Sequence, residues 1–221
     1  MLTLNLPAPG SDVLSILCVG AHGDDIEIGC GGTLLELIAQ RPVQVTWLVL
    51  SADPERARET ERSAAMFLAG ARAARLEIRE HRDGFLPYVG TQVKEEFEAL
   101  KDRVRPDLIF THYRHDLHQD HRLASDLTWN TFRDHLVLEY EVPKYDGDLG
   151  HPNAFAPLAA ATCRRKVDAL LAGYPSQAAK KWFSADLFMA LLRLRGMECN
   201  APSGLAEAFH CRKLRLLGGS P

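Results

Sequence analysis

Two short segments of this 221-residue chain gather the residue types that metal-assisted chemistry needs. The first, AHGDDIEIGCGGTL (residues 21–34), sets His22 and Asp25 three apart with a further carboxylate, Asp24, between them. An imidazole nitrogen and a carboxylate oxygen are standard ligands of a divalent metal, and one turn-like step at a strand end aims both at a common point. Adjacent carboxylates repel each other unless positive charge lies near, and a metal ion supplies it. The second segment, THYRHDLHQDHR (111–122), holds His112, His115, His118 and His121 with Asp116 and Asp120, four of the nine histidines within ten residues. Any of the four completes a set of two histidines and one carboxylate, which leaves a coordination position open as catalytic zinc sites do. Singly, such a histidine is more often a surface or satisfied core residue, and an Asp-Asp pair more often a helix cap. It is the convergence of two clusters on one place that carries the metal reading.

The elements around these segments decide whether they can converge. Residues 13–20 (VLSILCVG), 43–50 (VQVTWLVL), 76–78, 107–112 (DLIFTH) and 137–142 (VLEYEV) read as buried strands. Between them, 31–41, a segment opening at Pro54, 91–105 and 123–135 carry apolar residues at helical spacing. After a glycine- and proline-rich loop, KYDGDLGHPN (144–153), helices are expected near 156–172 and 184–194, and the end of 195–214 returns as a strand. Alternating strands and helices imply crossover units and a mostly parallel sheet. The expected fold is therefore α/β, a Rossmann-like three-layer arrangement with a C-terminal cap, as a single domain over 1–221. In such sheets ligands sit at the carboxyl ends of the strands, where both clusters fall. Gly29, Gly31 and Gly32 match neither G-x-G-x-x-G nor G-x-x-x-x-G-K-[ST], and read as close-packing positions.

Bulk properties narrow the function classes. A net charge of −3, with 46% apolar and 25% charged residues, fits an ordinary globular protein and points to no nucleic-acid or membrane-surface partner. The longest apolar runs are too short to span a bilayer, and MLTLNLPAPGSD at the start lacks the pattern of a secretory leader. Five cysteines, an odd number with no C-x-x-C pair, argue for reduced buried thiols and a cytoplasmic setting.

The two segments resemble the signatures of the PIG-L/LmbE-like N-acetylglucosaminyl deacetylase family, and the chain looks like a bacterial member. Residues 21–34 match A-H-[P]-D-D-x-E-x-x-x-G-G-T-L, with Gly23 where proline is usual, and 116–121 match D-x-H-x-D-H. The resemblance implies zinc (or Fe2+ or another divalent ion) held by His22, Asp25 and His121. It implies Asp24 as general base, His118 as a protonated acid, and Asp120 as the orienter of a histidine in its own motif. Arg58 with Glu61 resembles an R-x-x-E pattern that supplies a substrate-binding arginine, and Asp83 an aspartate that meets sugar hydroxyls. The implied reaction is removal of an N-acetyl group from an amino sugar, a nucleotide sugar or a glycoconjugate, with release of acetate. The alternative is a related amidase acting on a thiol-sugar conjugate or an acylated natural product. A homo-oligomer is left open. An Fe(II) oxygenase would use the same ligand set but on an all-β barrel, and a pure metal sensor needs neither Asp24 nor His118.

Overall fold

The computed structural model describes residues 13–215, so the N-terminal stretch MLTLNLPAPGSD lies outside the described residues. Five parallel strands, β1 (Leu14–His22), β2 (Val43–Ser51), β3 (Ala73–Ile78), β4 (Leu108–His112) and β5 (Leu136–Tyr140), are joined by helical crossovers. Two further strands, β6 (Ala154–Pro157) and β7 (Ala206–Cys211), complete a sheet of order β3-β2-β1-β4-β5-β7-β6, with β7 antiparallel to both neighbours. The helices are α1 (Asp25–Gln40), α2 (Pro54–Phe67), α3 (Gly90–Arg103), α4 (Gln119–Thr131), α5 (Ala160–Gly173) and α6 (Ala185–Glu198).

Side chains alternate across β1 and so feed two cores. Ile16 and Cys18 face one layer with residues of α1, α2, α5 and α6, while Leu17 and Val19 face the other with residues of α3 and α4. Burial on both faces is why the strands read as continuous apolar runs. This is the expected three-layer α/β fold. The C-terminal third adds α5 and α6 to one layer, and its connection through 174–184 supplies one wall of the main cavity.

Three boundaries differ from the sequence reading. Residues 154–157 form an edge strand on β7, not the start of a helix. Pro157, which has no N–H to offer the ladder, ends it, and α5 begins only at Ala160. Helix α1 begins six residues before the expected position, because its glycines are packing requirements that override their poor helix propensity. A Cβ on Gly29 would lie 2.1 Å from the Tyr140 ring, and one on Gly31 2.5 Å from the Phe67 ring. Helix α4 likewise starts at Gln119, with His118 as its N-cap: His118 Nδ1 accepts from Asp120 N at 3.3 Å. Both chemistry-bearing segments are thus strand-to-helix junctions.

Candidate metal and catalytic site

Strand order reverses between β1 and β4, and the crevice beyond their carboxyl ends is where open α/β sheets bind ligands. His22 is the last residue of β1, Asp25 the first of α1, and His121 lies in the first turn of α4. Three atoms of these residues form a small triangle. His22 Nδ1 is 3.3 Å from His121 Nε2 and 3.5 Å from Asp25 Oδ2, and His121 Nε2 is 3.6 Å from that same oxygen. Donors about 2.0–2.2 Å from one tetrahedral ion stand about 3.3–3.6 Å apart, so the donor set fits a zinc-like cation.

The far nitrogens of both imidazoles are held by carboxylates, which orients the rings and turns the near nitrogens inward. His121 Nδ1 is 2.9 Å from Asp116 Oδ2. His22 Nε2 is 3.2 Å from Asp120 Oδ2 and 3.0 Å from Asp83 Oδ1. Burial and the neighbouring His112 push His121 down to about 4, which leaves it neutral, as a ligand must be. Burial also works against charge on Asp25, but His121, His112 and His22 around it prevail and hold the carboxyl well below its usual range.

Asp24 caps α1 with φ 115°, a conformation costly for a side-chain-bearing residue and tolerated chiefly at functional sites. Its carboxyl is buried within the cavity wall, with Oδ2 3.1 Å from Arg56 Nη2. Arg56 Nη2 also donates to Gly23 O at 2.6 Å, so one guanidinium fixes the strained Gly23–Asp24 peptide and faces its carboxylate. Burial raises the Asp24 carboxyl to about 7, with Arg56 opposing and Asp25 adding to the shift.

His118 lines the same cavity, a space of about 950 Å3 whose outer wall includes Arg82, Asp83, Tyr145, Asp146, Lys180 and Trp182. A protonated His118 is what the resemblance implies. Its Nδ1 lone pair is spent on Asp120 N–H, and burial together with His22 lowers its pKa.

Asp120 sits on His22, the histidine of the other segment, and not on one of its own motif as expected. Its remaining capacity is filled by Gly84 N at 2.8 Å and Leu86 N at 3.1 Å. The carboxylate that orients His121 is Asp116. Asp83 is at the rim, with its side chain 80% exposed. His112 is fully buried behind Asp25, with Nε2 2.9 Å from Ala21 N, and His115 is exposed beside Tyr113.

Arg58 and Glu61 are exposed and outside the cavity lining. Arg56, which opens the same R-x-x-E spacing two residues earlier, lines the cavity, with its Nη1 3.1 Å from Glu59 Oε2. RARETER contains R-x-x-E in two registers, and residues two apart on a helix point about 200° apart. The Asp53 cap, which accepts from Glu55 N and Arg56 N, places Arg56 in the first turn beside α1 and was the signal that could have chosen between them.

A mostly parallel α/β sheet that brings a His/Asp donor set, a separate buried carboxylate and a further imidazole to its switch point has the makings of an amide hydrolase. The family model described as "PIG-L: GlcNAc-PI de-N-acetylase" matches residues 17–132, which span both segments. The chain belongs to this family, and it is a hydrolase of the deacetylase class. It is 28% identical over 145 residues to the uncharacterized deacetylase YaiS of Escherichia coli K12, covering 58% of this chain and 74% of that one. The fold matches the conserved protein TT1542 of Thermus thermophilus, with TM-score 0.73, 24% identity and coverage of 93% of this chain and 97% of that one. It also matches the N,N'-diacetylchitobiose deacetylase of Pyrococcus horikoshii, with TM-score 0.65, 18% identity and coverage of 93% and 86%.

Proposed function

We propose that this chain hydrolyses the acetamide of an N-acetylated amino sugar or its conjugate, with release of acetate, at a zinc centre held by His22, Asp25 and His121. The observation that carries the reading is the donor triangle of 3.3–3.6 Å with the buried Asp24 carboxyl in the wall beside it. A divalent ion held by those donors supplies Lewis-acid polarisation of the acyl oxygen, acidification of a water, and positive charge next to Asp24.

The chain's own residues do the rest. Asp24, kept in place by Arg56 and its capping position, takes the proton of the attacking water. The same carboxyl then returns that proton to the leaving nitrogen. His118 Nε2–H donates to the oxygen on which negative charge develops. Asp116 and Asp120 hold the two imidazoles so that neither rotates as charge moves. Asp83, at the rim, offers its free carboxylate oxygen to sugar hydroxyls. A cavity of about 950 Å3 takes more than a monosaccharide, which supports a disaccharide or glycoconjugate substrate.

The test is acetate release from N-acetylglucosamine, N,N'-diacetylchitobiose, nucleotide sugars and glycolipid head groups, before and after chelation and zinc repletion. Release from at least one sugar, lost on chelation and restored by zinc, is expected. Turnover that survives exhaustive chelation overturns the metal reading. Turnover confined to acyl amides without a sugar overturns the substrate class.

A further inference from the structure

The segment between β5 and β6 carries Tyr145 and Asp146 into the cavity wall and is held there by one buried cation. Lys144 has only 9% of its side chain exposed. Its Nζ donates to Asp116 Oδ2 at 2.8 Å and to Asp148 Oδ2 at 2.6 Å. The Asp116 oxygen it touches is the one 2.9 Å from His121 Nδ1. The Asp148 oxygen also accepts from Leu117 N at 2.6 Å, and Asp116 Oδ1 accepts from His118 N at 2.8 Å.

One ammonium therefore joins the carboxylate that orients His121 to the carboxylate that anchors the wall. Asp116 and Asp148 are both buried at their side chains, at 4% and 5% exposure. Two such carboxylates around one point need a cation between them to stay in place. The two signature segments do not contain this cation, which comes from a loop more than twenty residues further along the chain.

We infer that Lys144 is a positioning residue that couples the substrate wall at Tyr145 and Asp146 to the metal histidine His121, through Asp148 on one side and Asp116 on the other. The inference rests on the metal reading above. Lys144 does not touch the reacting atoms. It fixes Asp116 Oδ2 where it orients the His121 ring, and it keeps the wall closed against α4.

Zinc affinity of the apo-protein, measured by competition with a chromophoric chelator, reads one arm, and KM against kcat reads the other. Lys144→Met is expected to weaken zinc binding roughly 10- to 100-fold, the usual effect of losing a partner that orients a ligand, and to raise KM. Asp148→Asn removes the charge from the wall tether and leaves Lys144 on Asp116, so KM rises while zinc affinity stays within about threefold of wild type. Where Lys144→Met does not fold, Lys144→Gln carries the same comparison, with a smaller loss of affinity because one donor to Asp116 remains. Folded Lys144 variants that bind zinc as wild type does overturn the inference. So does an Asp148→Asn variant that loses as much zinc affinity as Lys144→Met, since the wall alone would then govern the metal. His121→Ala is the reference for loss of the site. A wild-type protein that takes up no zinc overturns the metal reading and this inference with it, whereas zinc uptake unaltered by Lys144→Met overturns this inference alone.

Discussion

Asp120 Oδ2 stands 3.2 Å from His22 Nε2, so a carboxylate of the second signature segment orients the histidine of the first, 98 residues away in the chain. The same carboxylate accepts the backbone N–H groups of Gly84 and Leu86. One residue thereby ties the end of β1 and the loop at Gly84 and Leu86 to the start of α4. Asp120→Asn keeps an acceptor but loses the charge and one oxygen. Zinc affinity is expected to fall roughly 10-fold or more. Stability falls by about 1–3 kcal/mol, because a buried N–H loses its acceptor. Chelator competition and urea unfolding measure the two, and an unchanged zinc affinity would show that Asp83, on the same nitrogen, is sufficient.

Asp24 is placed to move protons and is not part of the donor triangle. Asp24→Asn is expected to retain one zinc per chain while turnover falls by roughly 10²- to 10⁴-fold, the usual share of a positioned acid–base group. Metal analysis and acetate release on the same preparation decide the matter. Full turnover in Asp24→Asn removes its assigned role.

The sheet and the convergence of two strand-end clusters were legible because buried parallel strands are apolar on both faces and punctuated by helices. The spacing of His22 and Asp25 makes them a candidate donor pair, whereas only the resemblance singles out His121 among the four histidines. What sequence could not supply was pairing across distance. Asp120 reaching His22, Asp116 shared by His121 and Lys144, and Glu207 reaching α1 all join residues whose separation in the chain bears no relation to their contact. Helix phase was lost at RARETER, where a two-residue slip reverses the face presented. The edge strand at 154–157 was hidden because alanines favour helices and only pairing with β7 overrides them.

That slip gives a direct comparison. Arg56→Ala removes the guanidinium that faces Asp24 and holds Gly23 O, and is expected to lower kcat/KM by at least 10²-fold, the scale of displaced catalytic geometry. Arg58→Ala, outside the cavity lining, is expected to change stability by less than about 0.5 kcal/mol and activity hardly at all. Equal losses in both variants would show that the arginine side of the cavity is misassigned.

His210 makes a pH-dependent contribution remote from the catalytic groups. It stacks on Tyr113 with ring centroids 3.8 Å apart, and among the described residues its buried Nε2 has no hydrogen-bond partner. Burial, followed by the nearby positive charge of Arg195, lowers its pKa to about 4. The unfolded chain takes up the proton near pH 6.5 and the folded one only near 4, so stability is lost as pH falls through that window and is unaffected above it. Urea midpoints from about pH 7.5 to about 4 should fall less steeply in His210→Gln than in wild type. Parallel profiles would mean that the site admits the proton freely.

The pair Lys166 and Glu207 reaches into the backbone of α1, the helix that begins with Asp25. Lys166 Nζ donates to Glu207 Oε1 at 2.6 Å and to Ile28 O at 2.7 Å, while Glu207 accepts from Gly32 N and Thr33 N, both at 2.7 Å. Both side chains are about 3% exposed. Lys166→Met leaves a buried carboxylate whose remaining donors are α1 amides and the Thr33 hydroxyl, and should cost about 3–5 kcal/mol of stability. Ile28 O and Gly32 N are themselves an i, i−4 pair that the helix ladder can satisfy alone. Replacing Glu207 by Met as well should therefore recover more than half of that loss. A double-mutant cycle by urea unfolding measures the coupling. Additive losses would show that the two charges act on α1 independently, and a Lys166→Met cost below about 1 kcal/mol would place the carboxylate in contact with solvent.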